Sequence, residues 1–174
     1  MLAGIKLDIK IQLSSKEFPM ISQTAEYALR AVVYLAENAG IGQTTEQIAK
    51  ATKIPGPYLS KVLQQLSRAR VVQSQRGLGG GFSLRKTADS LSVLDVVNAV
   101  DPIERIMQCP LGLDAHAVKL CALHRRLDEA TALVEKAFGQ TTIADLLADP
   151  SEGNVYTFPF QKDKVKPQRQ RKKK

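Results

Sequence analysis

Two cysteines and a histidine are the residues of this chain whose types and spacing could do metal or redox chemistry. Cys121 precedes His124 by three residues, a spacing that puts both side chains on one face of a helix. In a reducing compartment, Cys109 and Cys121 are expected to be thiols or metal ligands rather than a structural disulfide. The alternative is that both are ordinary buried thiols.

A glycine-rich run, Arg76-Gly77-Leu78-Gly79-Gly80-Gly81, is the second group with chemical potential. Glycine costs conformational entropy and adds nothing to a core. The run is therefore predicted to let the backbone approach another molecule while Arg76 reaches into a narrow DNA minor groove. The alternative is a flexible hairpin tip.

The motifs of common enzyme classes are missing from the sequence. It has no Walker loop, nucleophile elbow or metalloprotease histidine pair, and the glycine run lacks the lysine and following helix of a phosphate-binding loop. A zinc hydrolase is disfavoured because no carboxylate base is placed beside the cysteines and histidines. The chain is predicted not to be an enzyme.

The elements that must position these residues follow from periodicity. Apolar residues recur every three or four positions from Ala25 to Ala36, which predicts a first helix. Thr44 and Gln47 predict a capping box that opens a second helix to about Thr52. A turn follows, and Pro57 suits the first position of a third helix.

The third helix is predicted to have a buried stripe and a polar face, and a β-hairpin follows it. The stripe is Leu59, Val62, Leu63 and Leu66, the polar face is Ser60, Lys61, Gln64, Gln65 and Arg68, and the hairpin strands hold Val71, Val72, Phe82 and Leu84. This order predicts a winged helix-turn-helix whose third helix enters a major groove. The alternative is a polar face that is merely solvated.

Three further helices are predicted: one from about Ser92 that stops before Pro102, a long one from about Ala117 to Phe138, and a short one over residues 142–147. The long helix carries an apolar repeat of 3.5 residues, typical of a seam that packs on another helix. Its members are Leu120, Leu123, Leu127, Ala130, Val134 and Ala137. The fold class is therefore mainly α with a small β-hairpin wing, plus a long dimerisation helix.

The net charge of the chain is weaker evidence of a DNA partner than the motifs above. The chain has a formal charge of +8, but the segment from Lys162 to Lys174 holds eight Lys or Arg and one Asp, which is +7 of that total. This tail is interpreted as a solvated, disordered end, with extra attraction to phosphates as the alternative. No membrane span or secretory signal is recognisable, so a cytoplasmic protein is expected.

Four segments resemble the Rrf-two family of winged helix-turn-helix transcription regulators, to which IscR and NsrR belong. They are Tyr27-Ala28-Leu29-Arg30-Ala31, Tyr58-Leu59 with Leu63 and Leu66, Arg76-Gly77-Leu78-Gly79-Gly80-Gly81-Phe82, and Thr141-Thr142-Ile143-Ala144-Asp145-Leu146. The likeness runs from about Met20 to Leu147.

The resemblance implies a homodimer that binds double-stranded DNA at a pseudo-palindromic operator, in most cases as a repressor. The residues implied to contact DNA are Tyr58, Ser60, Lys61, Gln64, Ser74, Arg76, Gly77, Gly79 and Gly80. A module that kept the fold and lost DNA recognition is the rival interpretation.

The resemblance also implies a sensor. The iron–sulfur regulator has the pattern Cys-x5-Cys-x5-Cys-x2-His; here Cys109, Cys121 and His124 match, while the middle position is Ala115 with His116 beside it. Glu26 lies where some cluster-binding relatives use a carboxylate from the first helix of the partner subunit. The hypothesis is a [2Fe–2S] cluster held by Cys109, Cys121, Glu26 and one histidine, His124 or His116 as its substitute. The alternatives are a thiol redox switch, or regulation by a metabolite or partner protein.

The predicted organisation has five parts. Residues 1–19 form an N-terminal extension, with Met20 as an alternative start; 20–100 form the DNA-binding domain; 101–116 form a sensor loop; 117–148 hold the dimerisation and terminal helices; and 149–174 form the basic tail.

Overall fold

The computed structural model describes residues 21–77, 79–110 and 119–148. Six α-helices and two strands follow one another in these ranges. They are α1 (Gln23–Glu37), α2 (Thr45–Thr52), α3 (Gly56–Arg68), β1 (Val72–Gln75), β2 (Gly81–Leu84), α4 (Val93–Asn98), α5 (Ala122–Gln140) and α6 (Ile143–Ala148), with a short 3-10 turn at Ala88–Ser90. The mainly α fold with a hairpin wing is confirmed.

Side-chain caps fix where the short helices begin. The Thr44 hydroxyl accepts from the Gln47 amide at 3.2 Å, and the Gln47 side chain accepts from the Thr44 amide at 2.8 Å, so the predicted capping box is confirmed. Ser92 and Asp95 exchange the same pair of bonds before α4. Such caps satisfy amide groups that the first turn of a helix leaves without partners.

One hydrophobic core joins the winged-helix elements. The apolar stripes of α1 and α3 meet there with β1, α4 and Ile143 of α6, which is fully buried. The last helix is held by backbone bonds from Ile143 to Leu91 (2.8 Å) and from Val93 to Thr141 (2.9 Å). After α5, the chain therefore returns to complete the body that carries α3.

The wing is an antiparallel hairpin anchored to that body. Its register pairs Val72 with Leu84 and Gln75 with Gly81. Gln43, from the loop before α2, pairs with Phe82 through bonds of 2.9 and 2.7 Å on the other side of β2. The wing is thus fixed to the loop between α1 and α2.

Two predicted helix starts are wrong. The third helix begins at Gly56, so Pro57 is its second residue. The long helix begins at Ala122 rather than Ala117, because Cys121 has an extended backbone (φ −63°, ψ 164°) and serves as the N-cap. An apolar repeat records where apolar side chains fall, not where helical hydrogen bonding begins, and Leu120 precedes the helix. None of the described helices is long and apolar enough to cross a membrane.

Candidate nucleic-acid interface and thiol site

Helix α3 presents a polar face to solvent. Its four apolar residues are buried, whereas Ser60, Lys61 and Gln64 are exposed and Tyr58 is 53% exposed. The Ser60 hydroxyl donates to the Gly56 carbonyl at 3.1 Å. The four α3 side chains implied to contact DNA therefore share the accessible side of one helix.

The start of α3 is braced by a network that sequence reasoning did not find. The Tyr58 ring meets Tyr27 of α1 edge to face, with centroids 6.2 Å apart. Arg30 lies over Tyr27, forms an ion pair with Glu26 and donates to the carbonyl of Thr52 at the end of α2. The signal in the sequence was that Glu26 and Tyr27 precede Arg30 by four and three residues, which places all three side chains on one side of α1.

The described residues of the wing tip are largely exposed to solvent. Ser74, Arg76, Gly77 and Gly79 are exposed, and Leu78 lies outside the described residues. Gly77 and Gly79 have φ values of 103° and 78°, and a Cβ at either would meet nothing within 4 Å. Their outer sides are therefore open to an approaching molecule.

Two other glycines are required by the chain itself. A Cβ at Gly81 would lie 2.6 Å from the Gln43 carbonyl oxygen, and one at Gly80 would lie 2.9 Å from that of Gly77. The interpretation of the run as an approach surface therefore left out a second reason for Gly80 and Gly81. There the reason is close backbone packing inside the hairpin and against Gln43.

Cys109, Cys121 and His124 come together in the structure. Nδ1 of His124 lies 3.3 Å from Sγ of Cys121 and 3.6 Å from Sγ of Cys109. The three potential ligand atoms all lie within 4.8 Å of one another, and the residues are half-buried. Glu26 does not belong to this group, and His116 lies outside the described residues.

A tether holds the Cys109 segment on α5. Nε and Nη2 of Arg105 donate to the two carboxylate oxygens of Asp128 at 2.7 and 2.6 Å, and the Ile106 amide donates to Asp128 at 3.0 Å. The hydrogen bonds from Arg105 lower the pKa of Asp128, and the Asp128 carboxylate in turn raises the pKa of Arg105. Glu135 lies 3.4 Å from the same guanidinium.

The Rrf2 family model, described as "Iron-dependent Transcriptional regulator", matches residues 21–149. The chain belongs to the Rrf2 family. The resemblance to the Rrf-two family, which was based on four sequence motifs, is therefore confirmed. Rrf2 proteins are DNA-binding transcription regulators and not enzymes, so both of these predictions are confirmed at the level of the family.

Relatives of this Rrf2 chain are also named as transcriptional regulators. A protein of Aquifex aeolicus (strain VF5), named as an HTH-type transcriptional regulator, is 36% identical over 131 residues, which are 74% of this chain and 91% of that protein. A similarly named protein of Mycobacterium tuberculosis (strain H37Rv) is 33% identical over 128 residues, 72% of this chain and 80% of the relative.

Solved structures show the same fold. CymR (YrzC), the global cysteine regulator of B. subtilis, superposes with a TM-score of 0.62 at 24% identity, over 72% of this chain and 94% of CymR. IscR of T. potens superposes with a TM-score of 0.63 at 21% identity, over 78% of this chain and 90% of IscR. The likeness establishes the winged-helix fold of the Rrf2 chain.

The donor set of the described residues is smaller than the one that the implied cluster needs. A [2Fe–2S] cluster takes four protein ligands, two on each iron. The described group of this Rrf2 chain has three donors, and Glu26 is engaged by Arg30. Within one chain, the described residues therefore do not complete a cluster.

Proposed function

We propose that this Rrf2 protein is a dimeric repressor that reads an operator with α3 and the wing. The observation that carries the proposal is that the polar face of α3 and the exposed tip at Arg76 belong to elements that share one hydrophobic core. A helix of this size fits a major groove, and an arginine on a glycine-flanked tip suits the adjacent minor groove.

Each exposed residue has a role in this proposal. Tyr58, Ser60 and Gln64 contact base edges and Lys61 contacts phosphate, because short polar groups and single cations are what those surfaces bind. On the wing, Ser74 contacts phosphate and Arg76 enters the minor groove. The backbones of Gly77, Gly79 and Gly80 let the tip come close.

Dimerisation is proposed through α5. None of its nineteen residues is buried in the single chain, and two of its leucines are largely exposed, Leu123 at 64% and Leu127 at 48%. Leu133, 70% exposed, was not in the predicted seam and adds to the apolar surface. Burying these leucines against a second copy would offset the cost of their exposure to water. A twofold dimer would present two α3 helices to a pseudo-palindrome.

We propose the five-part organisation of the sequence analysis for this regulator, with the cytoplasm as its location. Repression is proposed because it is the commoner outcome in the family whose motifs this chain carries.

Operator selection from random DNA tests the DNA-binding proposal. The expected outcome is an enriched pseudo-palindrome that the full chain binds at least about 1,000-fold more tightly than unrelated DNA. Affinity should fall steeply with salt. Equal affinity for all sequences would favour the rival module that lost specific recognition.

For sensing, a [2Fe–2S] cluster with Cys109, Cys121, His124 and Glu26 of a second copy is one candidate. The family description as iron-dependent favours it. In the single chain, Oε1 of Glu26 is paired with Arg30, which leaves the other carboxylate oxygen as the candidate ligand. Thiol oxidation is a second candidate, favoured by sulfur atoms within 4.8 Å of each other. Control by a metabolite or a partner protein without a cluster is the remaining alternative.

A further inference from the structure

We propose that Arg30 and Tyr27 of α1 are positioning residues for operator recognition, which hold the start of α3 and the ring of Tyr58 in the orientation that meets DNA. The inference rests on the proposed function of α3. Neither Arg30 nor Tyr27 is among the residues proposed to contact DNA, and the side chain of Arg30 is only 34% exposed. Both residues act through the elements that they touch.

The start of α3 depends on contacts from outside the helix. Helices α1, α2 and α4 each begin after a serine or threonine whose side chain accepts an amide hydrogen bond from the first turn. Helix α3 follows Pro55, and no side chain caps it. The first turn of an uncapped helix leaves amide groups without side-chain partners. The orientation of α3 is therefore set by the elements that pack against it.

Arg30 fixes the end of α2 that leads into α3. Its Nη1 donates to the carbonyl of Thr52, the last residue of α2, at 3.4 Å. The last carbonyl groups of a helix have no partner within that helix, so this bond ties the end of α2 to α1. Only residues 53–55 separate Thr52 from Gly56, the first residue of α3.

Tyr27 holds the other side of the same turn. Its ring meets the ring of Tyr58 edge to face, with centroids 6.2 Å apart and an interplanar angle of 79°. Cζ of Arg30 lies 5.8 Å from the centroid of the Tyr27 ring, within the range of a cation–π interaction. Edge-to-face pairing favours particular relative orientations of two rings. Helix α1 therefore contacts both ends of the turn between α2 and α3.

The shape of the arginine side chain suits this position. A guanidinium group carries five N–H donors in one plane. Arg30 can therefore lie over the ring of Tyr27, pair with Glu26 and donate to Thr52 at the same time. The compact ammonium group of a lysine lacks this planar fork. Arg30→Lys should keep only part of the effect.

Fluorescence anisotropy with the full chain tests the inference by comparing affinity for the selected operator with affinity for unrelated DNA. Arg30→Ala should lower this preference about 3–30-fold, as expected for coupling within one network of contacts. Affinity for unrelated DNA should stay unchanged. Tyr27→Leu should have the same effect, and Tyr27→Phe, which keeps the ring, should not. Arg126→Ala, which removes the exposed ion pair with Glu129 on α5, is the control and should leave the preference unchanged.

A second background separates positioning from general stability. Because part of the effect of Arg30 runs through Tyr58, Arg30→Ala should lower the operator preference by a smaller factor in Tyr58→Ala than in the parent. Thermal unfolding of each variant checks that it is folded. Arg30→Lys and Tyr27→Leu provide the same test if Arg30→Ala does not fold.

Two results would overturn the inference. One is an operator preference that survives both Arg30→Ala and Tyr27→Leu in folded protein. The other is a loss from Arg30→Ala that is equally large with and without the Tyr58 ring. A parent chain with no operator preference would overturn the proposed function as well, so the two failures are distinguishable.

Discussion

Gly81 shows, at the scale of single residues, what a sequence pattern can and cannot predict. The glycine run predicted an exposed wing tip, and the exposure of Gly77 and Gly79 agrees with that interpretation. The close approach of Gly81 to Gln43 was not predictable, because the two residues lie 38 positions apart and no local pattern links them. The roles proposed for Cys109 and Cys121 likewise depend on contacts made across a loop.

Gly81→Ala should destabilise the fold more than Gly40→Ala. Both glycines have positive φ, 142° and 82°, which costs an alanine about 1–2 kcal/mol. Only at Gly81 does a Cβ also collide with backbone, adding about 1–3 kcal/mol for overpacking. Urea unfolding of the two variants measures the difference, and equal losses of stability would contradict the proposed packing against Gln43.

Arg76→Ala should weaken operator binding by about 1–3 kcal/mol and relax specificity beside the wing. Lys61→Ala should instead weaken binding to all sequences and reduce the salt dependence by about one counterion. Arg76→Lys is the matched control, since it keeps the charge without the planar guanidinium. Compared with Arg76→Ala, Arg76→Lys should regain affinity for unrelated DNA more than it regains preference for the operator. Unchanged specificity in Arg76→Ala, measured by fluorescence anisotropy, would remove the wing from the DNA interface.

Helix α5 illustrates the scale of elements. Its existence and its apolar repeat were predictable from the 3.5-residue spacing. Its start was not, because Cys121 caps the helix instead of continuing it. Leu133 lies outside a strict repeat, so a pattern of three- and four-residue steps passes over it. The tether to Arg105 was also hidden, since it joins residues 23 positions apart.

Acid should release the tether between Arg105 and Asp128 only at low pH. Because the pKa of Asp128 is lowered from its ordinary value of 3.8, its contribution to stability is fully present above that value. The contribution is lost as pH falls through the lowered pKa. In an NMR titration, the shift of the Ile106 amide should have its midpoint below pH 3.8, and this transition should be absent in Asp128→Asn. A midpoint at or above 3.8 would contradict the ion pair.

At the scale of the whole molecule, local patterns predicted the winged-helix order but not how its ends meet. Helix α6 was expected as a short terminal helix, yet Ile143 is fully buried in the core shared with α1 and α4. Periodicity identifies a buried face without identifying its partner. The same limit applies to α5, whose exposed leucines are the ones proposed to pack against a second copy.

Leu127→Asp should dissociate the proposed dimer. Because Leu127 is 48% exposed in the single chain, each copy loses about half of the roughly 1.5–3 kcal/mol of a fully exposed side chain, so association should weaken by about 1.5–3 kcal/mol per dimer. Leu147→Asp, which changes a 38% exposed leucine of α6, is the matched control and should remain dimeric. Sedimentation velocity across a concentration series distinguishes them. A parent protein that sediments as a monomer, or a Leu127→Asp variant that remains as dimeric as the parent, would contradict the proposed interface.

Hydroxyl-radical and methylation footprinting of the full chain on its selected operator tests the central proposal most directly. Two copies of α3 predict two protected major-groove segments whose centres lie about one helical turn, or a whole number of turns, apart. Each segment should have a protected minor groove beside it where Arg76 enters. Protection of a single segment, or protection that follows no sequence, would contradict a symmetric pair of winged helices on DNA.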